Sequence, residues 1–458
     1  MVRSIGDRLD YLIDHYLVVC IFLSLFILTW VGVGNIPASA LLGLILCAAG
    51  LLQQSAQVDL WILVPLILYN LISMASSYAT YGNIVEGYGA MQSVFPVIYL
   101  LMACLTDREL YLLRQMCAVW AGAVAAAGVS QFVWQAVTLG SAGRLEGFLG
   151  NANAMGIFLV IGWFSLMQCV SEGEEKDWNS FLIYIEPILL IGLAMTLSMG
   201  SFAAMAAGIL VVLTAKKKQC SYKDLFPYAC RILAKASLGM GTGILMYLAA
   251  ARTGVPWSCL LLFLYGLVLV RCWRKFGLFL QCYPKAAALI AVCGLLAAGG
   301  TILIRPSSIA TFSERLEMMG NGLSYLTQNP VLGVGPYQWR LLNLNDGHKY
   351  FNTWHIHNIL LHVGVEFGWI AMAMLIVIVV RCCVKKTEPW TKAGFTAFCF
   401  HNMIDTSFFY MGIMALNMMT TGNPHNGGRK KEGPALKILF SAFAVMFAMD
   451  LYYYIGMT

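Results

Sequence analysis

Apolar residues run in long unbroken blocks along this chain, near positions 16–33, 37–52, 58–76, 90–105, 112–137, 153–171, 180–197, 200–215, 231–250, 256–270, 286–303 and 358–380. The blocks are continuously apolar instead of alternating, which is the pattern of membrane-spanning helices and not of barrel strands. Each span needs about 20 mostly apolar residues, so these blocks and the shorter apolar pieces after Lys392 predict an all-α polytopic protein with about 12–15 transmembrane helices. The widest polar interruption divides the chain into N-terminal helices (1–303), one large loop (304–357) and C-terminal helices (358–458). No internal repeat is evident, so one membrane domain is expected, and an inverted-repeat transporter is disfavoured.

Composition agrees with that reading: 60% of residues are hydrophobic and 11% charged, where a soluble domain carries roughly a quarter charged residues. The first block, Tyr16 to Val33, precedes Ala38-Ser39-Ala40 and so partly resembles a cleaved signal peptide. Its length and the block that follows at once predict an uncleaved first span instead. The net charge of +7 comes from basic residues in short loops, which is the pattern of membrane orientation and not of nucleic-acid binding.

With Arg3 and Arg8 inside, alternation puts Lys216-Lys217-Lys218, Arg271, Arg274, Lys275, Arg381, Lys385 and Lys386 in the cytoplasm as well. The loops 77–89, 138–152 and 304–357 then fall outside. A single crossing by 393–421 would strand Arg429-Lys430-Lys431 and Lys437 outside. A hairpin of two short arms, turning near His401–Ser407, returns them all to the cytoplasm. It also brings His401 and Asp405 to the outer face, level with His357, and its short arms imply broken helices packed inside protein. Of the 14 cysteines, most lie inside apolar blocks (Cys20, Cys47, Cys104, Cys169, Cys293) and behave as small hydrophobes. Cys382-Cys383 falls on a cytoplasmic loop, and no disulfide framework or CxxC site is indicated.

Candidate chemistry concentrates where the outer loop meets the next block. Four of the seven histidines fall between His348 and His362. His357 opens the following helix, and a neutral imidazole there suits a general base as well as a structural hydrogen bond. His348, His355, His357 and His362 lack the spacing and the cysteine or HExxH partners of a zinc site, so neither metal nor cofactor is expected. Glu366 is costly inside an apolar block and suggests function, or the orientation of nearby histidines or arginines. Glu186, followed by Pro187, raises the same question in its own span, whereas Asp450 beside Tyr452-Tyr453-Tyr454 reads as an interfacial anchor.

Within the loop, Ser313 to Leu326 places Leu316, Met319, Leu323 and Leu326 at helical spacing, predicting an amphipathic helix on the membrane surface. Asn329-Pro330 ends it, and Gly333-Val334-Gly335-Pro336 makes a tight turn. Arg315 would sit in the first turn of this helix, against its dipole. An anionic ligand would relieve that, as could Glu314 or Glu317. Arg144 and Glu146 precede Gly147-Phe148-Leu149-Gly150-Asn151-Ala152-Asn153, which fits either an ordinary turn or amides presented to an anion.

In this order and spacing the three outer patches resemble the bacterial O-antigen ligase and polymerase superfamily. His357-Asn358-x-x-Leu361 with Glu366 and Gly368 is similar to its motif after the large periplasmic loop. Arg315-Leu316-Glu317 with Asn329-Pro330-x-Leu332-Gly333-x-Gly335-Pro336 resembles the preceding loop motif. Gly147-Phe148 with Asn151-x-Asn153 resembles its shorter motif, and His401-x-x-x-Asp405 its final outer pair. The resemblance implies a metal-independent inverting glycosyltransferase of the membrane C-type class, acting outside the bacterial cytoplasmic membrane. Its implied partners are a donor glycan on undecaprenyl diphosphate, a glycan or lipid-glycan acceptor, membrane lipids and other polysaccharide assembly proteins, with no nucleic acid. By the same resemblance Arg315 holds the diphosphate and His357 deprotonates the acceptor hydroxyl. Arg144, Asn153, Arg340, Glu366, His401 and Asp405 complete the substrate-binding set. Ligases of the family carry a further arginine in a Ser-Arg-Gly-like stretch, where this chain has Met199 in Leu197-Ser198-Met199-Gly200-Ser201. Either Arg144 or Arg340 substitutes, or this member handles its lipid diphosphate differently, or it has lost the activity, and the departure favours polymerase over ligase. The competing expectations are a small-solute transporter or channel using Glu186 and an inactive scaffold of a polysaccharide assembly complex.

Overall fold

The computed structural model describes residues 14–31, 35–85, 89–172, 181–252, 256–304, 307–345, 351–425 and 428–456. Among them are seventeen helices and one two-stranded sheet. In chain order these are α1 (Tyr16–Val31), α2 (Ile36–Leu51), β1 (Ser55–Val58), α3 (Leu60–Tyr81), α4 (Gly89–Met102), α5 (Asp107–Leu139), α6 (Ala152–Glu172), α7 (Ile185–Met195), α8 (Met199–Lys217), α9 (Tyr222–Arg252), α10 (Pro256–Cys282), α11 (Pro284–Ile304), α12 (Ser307–Gln328), α13 (Gln338–Asn345), α14 (Ile359–Val384), α15 (Pro389–Asn402), α16 (Met411–Thr421), β2 (Arg429–Glu432) and α17 (Gly433–Gly456).

Seven of these helices, α3, α5, α6, α8, α9, α14 and α17, are long and apolar enough to cross a membrane. The pair α10 and α11, bent by 112°, makes an eighth if counted as one span. Many of their apolar side chains face outward, among them Trp61, Leu71, Trp134, Leu210 and Val445, an arrangement that suits a lipid surface and not water. The fold is that of a polytopic helical membrane protein. The expected 12–15 spans exceed this number because several apolar blocks become short helices: α1, α2, α4 and α7 have 10–17 residues.

The residues form two compact units that interleave along the chain. One comprises Met1–Leu113, Ser313–Thr387 and Asn402–Thr458, and the other Arg114–Phe312 and Glu388–His401. In the first, α2 packs between α17 and α4, α14 lies on α3, and α16 on α1. In the second, α9 contacts α7, α10 and α11, while α6 contacts α7 and α8.

Contacts inside the first unit tie several of its connecting segments together. At one end β1 pairs antiparallel with β2, and buried Asp59 accepts from Arg381 (2.9 Å) and Lys385 (3.1 Å). His425 meets Asp107 there (2.8 Å). The strand pairing puts residues 429–432 beside residues 55–58.

The 304–357 stretch holds two helices, α12 and α13. Helix α12 begins at Ser307, so Arg315 is two turns inside it and not in its first turn. The expected conflict between Arg315 and the helix dipole therefore does not arise, because that field acts within the terminal turn. The apolar stripe also divides. Leu316 and Leu323 are exposed, while Met318, Tyr325 and Leu326 bury against Trp339, Phe351, Ile356 and Val365.

The turn that follows is anchored in a break of α14. Gly368 has φ 85° and ψ 176° inside that helix. In an unbroken helix the carbonyls of Val365 and Glu366 would accept from residues 369 and 370. Here they accept from Val334 N–H (2.8 Å) and Gly335 N–H (3.0 Å), while Trp369 N–H donates to the Pro330 carbonyl (2.8 Å). Ser76 Oγ on α3 donates to the carbonyls of Leu332 (2.8 Å) and Glu366 (3.0 Å), and Tyr81 donates to that of Pro336 (2.6 Å). Irregular backbone inside a membrane domain needs such internal partners.

The glycines make this clasp sterically possible. A Cβ at Gly368 would lie 2.1 Å from the Val331 carbonyl oxygen, and one at Gly333 would lie 2.3 Å from the Glu366 carbonyl carbon. Gly368→Ala is expected to lower the thermal midpoint in detergent, since left-handed strain alone costs about 1–3 kcal/mol. Gly299→Ala, where an added Cβ meets nothing within 4 Å, should leave the midpoint unchanged or raise it. Equal midpoints for the two variants would contradict the clasp.

Candidate functional site

The first unit brings Arg315, His357 and Asp405 together from three separate segments. Helix α12 carries Arg315, and the strand-like approach to α14 carries His357. Asp405 lies on the turn between α15 and α16. Asn358 caps α14: its side chain accepts from Leu361 N–H (3.0 Å) and its amide donates to the Met403 carbonyl (3.2 Å). One residue therefore starts the helix and ties it to the 403–410 turn. That turn is set from within by Asn402, whose side chain accepts from Phe408 N–H (2.8 Å) and from Ser407 Oγ (3.2 Å).

Asp405 is the hub. Its Oδ2 accepts from Arg315 Nη2 (3.1 Å), and its Oδ1 accepts from His357 Nδ1 (3.2 Å) and from Thr406 N–H (2.8 Å). Arg315 Nη1 also donates to the Ile404 carbonyl, whereas its Nε, buried as well, has no acceptor among the described residues. The side chains of Arg315, Asp405 and His357 are 15%, 10% and 20% exposed, so all three are sheltered yet reachable. With Nδ1–H directed at a carboxylate, the His357 ring presents Nε2 as an acceptor.

A second histidine pair lies beside this hub. His362, fully buried, accepts from Ile356 N–H at Nδ1 (3.3 Å). That bond assigns the proton of His362 to Nε2, which donates to His355 Nδ1 (3.1 Å) with Glu366 Oε2 at 3.5 Å. His355 stacks on Phe409, ring centroids 4.2 Å apart, and His362 meets the same ring edge-on. Glu366 is thus a buried neighbour of His362 and not a direct partner of Arg315 or His357. Sequence reasoning had no role for Phe409. The aromatic run Phe408-Phe409-Tyr410 so soon after Asp405 was the available sign of a buried turn.

The other expected residues fall elsewhere. Arg340 stacks on Trp354, its guanidinium carbon 3.7 Å from the ring centroid, and does not join Arg315. His401 is fully buried near the end of α15 and is grouped with the second unit. In that unit Arg144 Nε donates to the Thr196 carbonyl (2.7 Å) and its Nη2 to Asn153 Oδ1 (2.8 Å). Leu145 N–H donates to Met195 (3.1 Å), so this segment satisfies the carbonyls at the end of α7. Met199 is the first residue of α8 after the Ser198 cap, so Arg144 reaches the same α7–α8 junction. The anion-presenting reading of 147–153 does not hold at the amides of Asn153 and Ala154. Both donate to Asn151 Oδ1 (2.8 and 3.1 Å). His348 lies outside the described residues.

Glu186 is 3% exposed and pairs with Lys235 Nζ and Trp273 Nε1, both at 2.7 Å. No protein-family description matches the chain, and no curated protein matches it significantly.

His355, outside the spanning helices, has its imidazole pushed down to about 3 from 6.5, by burial first and by the nearby His357 second. The unfolded chain therefore takes up a proton near pH 6.5 that the folded chain refuses until about pH 3. Stability from this site is complete above that window and is lost as pH falls through it. Thermal midpoints in detergent should fall less steeply on acidification for His355→Gln than for the parent chain. Parallel profiles would show that His355 is not shielded from protonation.

Proposed function

We propose that the protein transfers glycan from an undecaprenyl-diphosphate-linked donor to an acceptor hydroxyl with inversion, outside the bacterial cytoplasmic membrane. Polymerisation of lipid-linked oligosaccharide is the favoured form of this reaction. The observation that carries the reading is the single carboxylate, Asp405, shared by a guanidinium and an imidazole. It assembles the two groups that such a transfer needs, an anion holder and a base, from segments far apart in sequence.

In the proposed reaction His357 Nε2 takes the acceptor proton as the acceptor oxygen attacks the anomeric carbon. The bond from that carbon to the diphosphate oxygen breaks, and the lipid diphosphate leaves with the electron pair. Asp405 holds the His357 ring in orientation and stabilises the imidazolium. Arg315 offers the Nη hydrogens that Asp405 and Ile404 leave over to the leaving diphosphate, for which a guanidinium is suited. Glu186 supports the transport alternative poorly, since Lys235 and Trp273 already engage it.

His357→Ala and Arg315→Ala should each abolish polymer formation in cells while the protein still inserts in the membrane at near-normal levels. General acid–base catalysis is worth roughly 10²–10⁴-fold, so the residual rate of His357→Ala should fall in that range below the parent's. Unchanged polysaccharide chain-length patterns in both variants would end the assignment.

A further inference from the structure

We infer that the second unit carries a binding site for an anionic phospholipid, between α6, α9 and α10. These helices, with Ile183 and the first turn of α7, wall a cavity of about 420 Å³, within the range of small-molecule sites. Trp163, Glu186, Arg231, Lys235, Trp273 and Arg274, with the Tyr228 hydroxyl, supply its polar groups, and leucine, isoleucine, methionine and valine side chains most of the rest.

The hydrogen-bonding groups of this wall are unbalanced. Among the described residues Glu186 is its one carboxylate, and a single oxygen, Oε2, accepts from both Lys235 Nζ and Trp273 Nε1. Arg231 and Arg274 have no acidic partner among the described residues. Arg231 and Lys235 are four apart on α9, where like charges repel. Trp163 is 1% exposed, and its indole N–H has no acceptor among the described residues. The groups left over are cations and a donor, so the complementary ligand is an anion with several acceptor oxygens, such as a phosphate.

The apolar wall indicates the rest of that ligand. Leu278, which lines the cavity beside Leu166, Met167, Val170 and Ile232, is 56% exposed, with Arg274 and Lys275 exposed one turn before it. A hydrocarbon chain could therefore lie along the wall while the phosphate rests between Arg231 and Arg274. Loop charges assign this end of α9 and α10 to the cytoplasmic side, whose leaflet carries anionic lipid that basic inter-helix pockets recognise.

The test uses the full chain purified in detergent and native mass spectrometry of bound lipid. Phosphatidylglycerol, phosphatidylcholine and inorganic phosphate are the probes. The parent chain should retain phosphatidylglycerol about tenfold more tightly than phosphatidylcholine, and the Arg231→Gln/Arg274→Gln variant should lose that preference. Arg274→Gln alone changes an exposed side chain and keeps the test open if the double variant fails to fold. It should weaken phosphatidylglycerol retention several-fold. Equal retention of the two lipids, or an unchanged preference in the variants, would overturn the proposal. So would displacement of phosphatidylglycerol by inorganic phosphate, which would make the ligand a free phosphate and not a lipid.

Discussion

The shared carboxylate of Asp405 is the constraint on which the arrangement of the first unit's polar residues depends. Arg315 bonds its Oδ2 and His357 its Oδ1, which also accepts the amide of Thr406. A guanidinium this sheltered from water requires a compensating charge. Removing Asp405 would leave Arg315 with the Ile404 carbonyl as its remaining partner among the described residues, and His357 without a fixed orientation. The same carboxylate limits what Arg315 can do, since a ligand must use the donors that Asp405 and Ile404 leave over.

Behind that triad, the clasp at Gly368 holds α14 in place. Breaking a helix exposes carbonyls that cost free energy unless other donors reach them. The Asn329–Pro336 turn supplies two of those donors through Val334 and Gly335, and Ser76 on α3 supplies a third. The turn follows α12 directly, so fixing it against α14 also fixes the helix that carries Arg315. Packing of Leu326 with Ile356 and Val365 reinforces the same junction.

Much of this was legible in the sequence because function and membrane burial conflict there. A charged or imidazole side chain beside an apolar block has few neutral explanations, and Arg315, His357, Glu366 and Asp405 were all visible on that ground. What the sequence concealed was partnership. The i, i+4 spacing of His362 and Glu366 allows their approach, but nothing local says that Asn151 already satisfies the amides after the Gly147–Gly150 turn. The start of α12 was misplaced because Ser313-Glu314 reads as a helix beginning, while Ile309 to Phe312 contain no residue that stops a helix. Fewer helices than the expected 12–15 are long enough to span on their own for a related reason. Apolar length fixes hydrophobicity, but the described part of a block such as 180–197 holds the short helix α7 with turns at Tyr184 and Thr196.

The most direct measurement is a double-mutant cycle on thermal or chemical stability in detergent, using Asp405→Asn, Arg315→Gln and the combined variant. If one carboxylate holds the guanidinium in place, the two changes should be non-additive. The coupling should be about 1–3 kcal/mol, the combined variant being less destabilised than the sum of the single ones. Additive effects would mean that Asp405 and Arg315 do not support one another, and the shared-carboxylate account would be wrong.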